Sequence, residues 1–348
     1  MQKFFTTAAF VLLLHFLSNA QKHIWADSFQ IKTTGVDLYN DLLKLHDPVL
    51  FISPLPQVAP LPKRNIPLKE GEGKKGFWLE GNIMHRFVIA RWNEHHRQWW
   101  QRNRFTFDAG ITTRMTRDSS SPLLPNNNRF GLGWDYLLHP VERFSNTAKA
   151  VAWLTAQVHH YSNGQADNFF LSTAPLRNNY RSGDFSANYF RLLIQRTKRS
   201  AKDNLYTAGA GFQREINIGG PLVLSDELKN FYGRSRLLLN YQWIRHPQDR
   251  KRVFKNKSGI ESYNNPSPKK WMIYYRTEMN YILDNVSLYP YSSKYRLGWY
   301  NYFCYFFNTD NELGLMALTY LGRDYLNIRF DDPVFIAGIG IVIRPGRK

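Results

Sequence analysis

From Trp99 to Arg117 the chain alternates. Odd positions carry Trp99, Phe105, Phe107, Ala109, Ile111 and Met115, while even positions carry Arg102, Arg104, Thr106, Asp108, Thr112 and Arg114. A period of two with one apolar face predicts a β-strand. A run this long is about twice an ordinary globular strand and suits a tilted strand crossing a bilayer. The pattern returns between Phe231 and Trp243, where Leu237, Leu239 and Tyr241 alternate with Arg236, Asn240 and Gln242. It returns again from Trp271 to Leu283, through Leu326, Ile328 and Phe330, and from Val334 to Ile343. Such segments predict about eleven or twelve strands, hence an all-β fold: a transmembrane antiparallel β-barrel of about 12 strands. Aromatic runs such as Trp299 to Phe307 read as girdles at the two membrane interfaces. A large soluble β-sandwich would alternate similarly but with shorter strands.

The stretches before the barrel differ. Residues 1–20 combine Lys3, an apolar core from Ala8 to Leu17 and a small-residue site at Ser18-Asn19-Ala20, the plan of a secretory signal peptide. Residues 21–75 form a Pro-rich N-terminal extension ending in a Gly/Lys/Glu linker, open as a periplasmic extension, an additional strand or a lumen plug, and alternation begins near Gly76, so residues 76–348 are the expected barrel. An excess of 46 Lys and Arg over 27 Asp and Glu makes the chain strongly basic. Export argues against nucleic acid as the counter-charge and for anionic lipid headgroups at a membrane surface. The single cysteine, Cys304, excludes an internal disulfide framework.

Candidate chemistry centres on "VHHYSNGQ", Val158 to Gln165. Upstream, Ala148, Ala150, Ala152, Leu154, Ala156 and Val158 form an even, apolar face, and His160 and Ser162 continue it. The opposite parity holds His159, Tyr161 and Asn163, which read as packing or turn residues. Two positions along a strand span roughly 6.6 Å with both side chains on one face, so an imidazole at 160 can serve a hydroxyl at 162 as its base. In "SGDFSANYFRLLIQR" the even positions Ser186, Asn188, Phe190, Leu192 and Ile194 again form the apolar face. A hairpin centred near Ala174 sets Asn188 opposite His160, a third group to hold the imidazole.

"HYSNGQ", followed by an outward asparagine on the next strand, resembles the outer-membrane phospholipase A family. Its signature is His-x-Ser-Asn-Gly, with a Ser-His-Asn triad on the outside of a twelve-stranded barrel. The resemblance implies Ser162 as nucleophile, His160 as base, Asn188 as its orienting partner and the Gly164 N–H as an oxyanion donor. It also implies Ca2+ as cofactor, with Ser121 of the "SSP" loop (Ser120 to Pro122) and Gln165 as ligand positions. The family has arginine where this chain has Gln165, and Asp167 is the alternative acidic ligand. Its longer spacing from Ser162 to Asn188 leaves Asn178 and Asn179 as substitutes. The implied reaction is hydrolysis of glycerophospholipid acyl esters (phospholipase A1/A2) in the bacterial outer membrane, with a homodimer completing the acyl-chain cleft.

Two other readings share the pattern. One is a lipid A deacylase-like barrel, which pairs His-x-Ser with an acid such as Asp184 or Asp167. The other is a porin-like barrel without catalysis, which needs an open lumen. His85, His95 and His96 lack metal spacing, and Arg196 to Lys202 reads as a solvated turn.

Overall fold

A computed structural model of the chain describes residues 50–52, 77–90, 103–116, 126–138, 150–173, 176–179, 183–199, 204–217, 223–245, 253–255, 261–263, 271–284, 296–307, 313–326 and 333–343. In chain order the strands begin with β1 (Leu50–Ile52), β2 (Phe77–Ala90), β3 (Asn103–Thr116), β4 (Asn127–Leu137) and β5 (Ala150–Ser162). A small hairpin of β6 (Phe170–Thr173) and β7 (Leu176–Asn178) precedes β8 (Ser186–Arg199) and β9 (Leu205–Glu215). Helix α1 (Asp226–Tyr232) leads into β10 (Ser235–Arg245), and β11 (Val253–Lys255) pairs with β12 (Glu261–Tyr263). The chain ends on β13 (Met272–Ile282), β14 (Leu297–Phe306), β15 (Leu313–Arg323) and β16 (Pro333–Ile343). Twelve of these strands, all but the two small hairpins, close into one antiparallel barrel.

The expected fold class is therefore the observed one. Closure runs through β1, where Leu50 pairs with both Ile341 and Gly81. That strand lies inside the Pro-rich stretch 21–75, the rest of which falls outside the described residues, as do residues 1–20. The predicted strand from Trp99 is described from Asn103. The alternation read through Phe231 begins later, because Phe231 and Tyr232 belong to α1 and the strand opens at Ser235. Of the Leu326–Phe330 segment only Leu326 is described, in a turn.

Apart from β1, the barrel strands run 10–14 residues, enough for tilted strands to cross a hydrocarbon core. No helix among the described residues is long and apolar enough to do so. Alternate side chains Ile83, Ile194, Leu315 and Ile339 are more than half exposed on the outer wall. Exposing so many large apolar groups to water is unfavourable, and lipid removes that penalty. The aromatic run on β14 splits by parity instead of forming a girdle throughout. Trp299, Phe303 and Phe307 face out, whereas Tyr302 and Phe306 are buried and Tyr300 stacks on Tyr302 with centroids 4.8 Å apart.

Much of the lumen is packed with side chains. At one end Leu137, Trp153, Leu205, Ile244, Met272 and Phe306 pack together. At the other, Leu224 and Leu228 around α1 pack with Tyr161, Phe169, Phe185 and Tyr232 to form an aromatic cap. Between them lie buried ion pairs, including Arg104 with Asp135 and Arg114 with both Glu80 and Asp324. An open porin-like channel does not fit this interior.

One packing detail bears on the site. Asp108, Gly131 and His159 occupy one cross-strand row on β3, β4 and β5. His159 lies over Gly131 to place Nε2 3.0 Å from Asp108 Oδ2. A Cβ on Gly131 would come within 1.8 Å of the His159 ring. Gly131→Ala is expected to destabilise the barrel by about 1–3 kcal/mol, read as a lower urea midpoint in detergent; an unchanged midpoint would refute the crossing.

Candidate active site

β5 and β8 are hydrogen-bonded neighbours, with Val158 facing Phe190, His160 facing Asn188 and Ser162 facing Ser186. Trp153, Thr155, Gln157, His159 and Tyr161 are buried on the inner side of β5, while Val158 is exposed on the outer wall. His160 shares the outward parity of Val158 yet is only 7% exposed. Its imidazole is covered by Phe130 of β4, whose ring centroid lies 4.7 Å away.

The other flank is Asn188. His160 Nδ1 stands 2.9 Å from Asn188 Oδ1. An amide oxygen only accepts, so Nδ1 carries the proton and donates it. That leaves Nε2 with its lone pair, the state a general base requires. Neither Asn178 nor Asn179 takes this place: Asn178 is in β7, and the Asn179 amide donates to the Asn168 carbonyl.

Ser162 is half-buried at the end of β5, on the same outward face as His160. Its hydroxyl makes no hydrogen bond among the described residues. The turn after it is held from inside. Asn163 is 4% exposed, and its amide donates to the Gly183 carbonyl at 2.7 Å. Its Oδ1 accepts the N–H groups of Phe185 and Gln165. Gly164 follows in the left-handed region at φ 66°, where a side chain is strained. Asn163 is thus the clamp that sets the direction of the Gly164 peptide.

Ser186 was named in the sequence only as a member of the apolar face. It is 5% exposed, and its hydroxyl has no hydrogen-bond partner among the described residues. It faces Ser162 across the β5–β8 pair, which sets two hydroxyls opposite each other. The same hairpin register that sets Asn188 opposite His160 brings this pair together. The second histidine of the motif has a different task. His159 points into the lumen, with Nδ1 3.0 Å from the Tyr189 hydroxyl and Nε2 on Asp108.

Ser121 lies outside the described residues. Among the described residues no three His, Cys, Asp or Glu side chains gather as a metal site. Calcium, however, also takes amide, carbonyl and hydroxyl oxygens. Gln165 and the exposed Asp167 bring such oxygens to the turn after Ser162. The Asp184 N–H donates to the Asp167 carbonyl at 2.7 Å, and partial burial raises the Asp184 carboxyl above its ordinary range. These donors fit a hard cation in kind.

No protein-family model matches the sequence, and no curated protein does. Among solved structures, the chain is similar to outer membrane phospholipase A from Escherichia coli, with a TM-score of 0.50 and 12% identity, covering 90% of this chain and 98% of that one. A Salmonella typhi outer membrane phospholipase, solved as a dimer with bound calcium, gives a TM-score of 0.44 and 12% identity over 76% of this chain and 78% of that one. At these identities the first likeness carries the fold.

Proposed function

We propose that this chain, which has the barrel fold of outer membrane phospholipase A, is itself a phospholipase A of the bacterial outer membrane. It would hydrolyse acyl esters of glycerophospholipids at Ser162, His160 and Asn188. The observation that carries the reading is the His160–Asn188 hydrogen bond on the outer wall, two residues along β5 from Ser162. A soluble hydrolase brings substrate into a cleft; here the acyl ester would already be at the wall.

In this mechanism Ser162 Oγ attacks the ester carbonyl as His160 Nε2 takes its proton. The tetrahedral oxyanion collapses, the lysophospholipid alkoxide leaves and receives that proton from His160, and water then attacks the acyl-enzyme by the same path. Asn188 holds the imidazole tautomer without adding a second charge, which suits a site bordered by lipid. The Gly164 N–H and the Ser186 hydroxyl are the donors for the oxyanion. Calcium, held by Gln165, Asp167 and Ser121, would supply positive charge toward that oxygen. A second copy of the barrel against the apolar wall would complete the acyl-chain cleft.

Asn188 provides a graded test. Asn188→Ala is expected to lower kcat by about 10²-fold or more through loss of the oriented imidazole, with KM for a short-chain phospholipid nearly unchanged. Asn188→Asp, which keeps an acceptor at the same place, should retain far more activity than the alanine variant. Equal activity of wild type and Asn188→Ala would remove Asn188 from the triad. Calcium is tested alongside: a chelator should suppress release of fatty acid and added Ca2+ restore it, and chelator-insensitive hydrolysis would remove the ion from the account. Lipid A offered in parallel should not be deacylated, since an asparagine and not an acid meets His160.

A further inference from the structure

Between the aromatic cap and the apolar end of the lumen lies a cavity of about 170 Å³. Five arginines line it: Arg129, Arg191, Arg236, Arg296 and Arg323. Among the described residues that line it only two are carboxylates, Glu278 and Asp324, and each is already engaged. Glu278 pairs with Arg276, and Asp324 receives both bonds from Arg114.

The best-defined pair of cationic walls is Arg191 on β8 and Arg236 on β10. Both sit in one cross-strand row with Gln213 of β9, which is the register partner of each. Arg191 donates twice to Gln213 Oε1, at 2.8 and 3.2 Å, and lies over the Tyr189 ring at 5.4 Å. Arg236 lies over the Tyr232 ring at 4.6 Å. These partners are neutral: an amide and two π-faces orient the guanidinium groups without cancelling their charge. Two strand spacings put the backbones roughly 9–10 Å apart, a gap that two arginine side chains can close around one tetrahedral anion. Half-buried guanidinium groups that converge on one cavity attract countercharge, and their planar forks match phosphate oxygens two at a time.

We propose that this chamber is an anion site, in which Arg191 and Arg236 grip a phosphate group from either side of Gln213. It is separate from the reaction at Ser162 and does not depend on it. The phosphate could be free or carried on a deacylated headgroup such as glycerophosphocholine.

The test uses the full chain in a phosphate-free maltoside detergent at constant ionic strength. Titration with inorganic phosphate, and separately with glycerophosphocholine, is followed by calorimetry and by the thermal unfolding midpoint, with chloride as reference. Wild type should bind at least one of the two with a phosphate-specific rise in the midpoint. Saturation by inorganic phosphate alone identifies the free ion, and saturation by glycerophosphocholine alone identifies the headgroup. Arg191→Gln/Arg236→Gln should weaken binding at least tenfold.

Gln213→Glu guards against mere misfolding of that double variant. It sets a fixed carboxylate between the two guanidinium groups, so it should abolish phosphate binding and raise the midpoint in chloride. The proposal is overturned if neither ligand binds wild type beyond the chloride reference. Undiminished phosphate binding by folded Gln213→Glu protein would overturn it equally.

Discussion

Ser162→Ala is expected to abolish phospholipid hydrolysis, lowering kcat by about 10⁴- to 10⁶-fold, while the barrel folds as before. The size follows from the site. Ser162 is half-buried at a strand end, and its hydroxyl makes no hydrogen bond among the described residues, so its removal costs little stability. It is nevertheless the hydroxyl that shares a face with His160, whose Nε2 is left free by the bond to Asn188. His160→Ala should be nearly as damaging, and the double variant no worse than either single one, because base and nucleophile act as a unit. The measurement is fatty-acid release from a defined phospholipid in detergent, with the heat-shifted gel mobility of the folded barrel as control. Release by Ser162→Ala equal to wild type would sink the reading. Activity lost in Ser162→Ala but kept in Ser186→Ala would also separate the two facing hydroxyls. A smaller decrease of about 10²- to 10³-fold is expected for Ser186→Ala if it only aids the oxyanion.

Strand parity made much of this legible. It set His160, Ser162 and Asn188 on one face, and a hairpin centred near Ala174 gave the register the structure has. What escaped is instructive. A three-residue strand such as β1 is too short to show alternation, so closure through Leu50–Ile52 was hidden in a Pro-rich stretch. Helix α1 has seven residues, less than two full turns beyond its start, and its Leu228 and Tyr232 share a face at a spacing that a strand reading absorbs as polar alternation. The role of Asn163 depends on the Gly183 carbonyl and the Phe185 N–H, some twenty residues away, and no local pattern announces such a clamp. The same holds for the lumen, where parity says which arginines point inward but not which carboxylate each one meets.

That last gap matters most for stability, and Arg114 is the sharpest case. It stands on β3, 4% exposed at its side chain, and bridges Glu80 on β2 to Asp324 just beyond β15. Its Nε donates to Glu80 at 2.8 Å, and one Nη donates to both Asp324 oxygens at 3.0 Å. Tyr325 adds a hydroxyl donated to Glu80 and a ring beneath the guanidinium. Arg114→Met keeps the volume and the apolar stem but strands two buried carboxylates beside each other. Breaking a buried pair from one side costs about 3–5 kcal/mol, and two acids share this cation, so the upper part of that range is expected. Urea unfolding in detergent should show a fall in midpoint of that size. Replacing all three charges, as Glu80→Gln/Arg114→Met/Asp324→Asn, should recover most of it, because no ion is then left unpaired. If Arg114→Met unfolds at the wild-type midpoint, the bridge contributes nothing. If the triple variant is weaker still, the loss comes from packing around Arg114 and not from stranded charge.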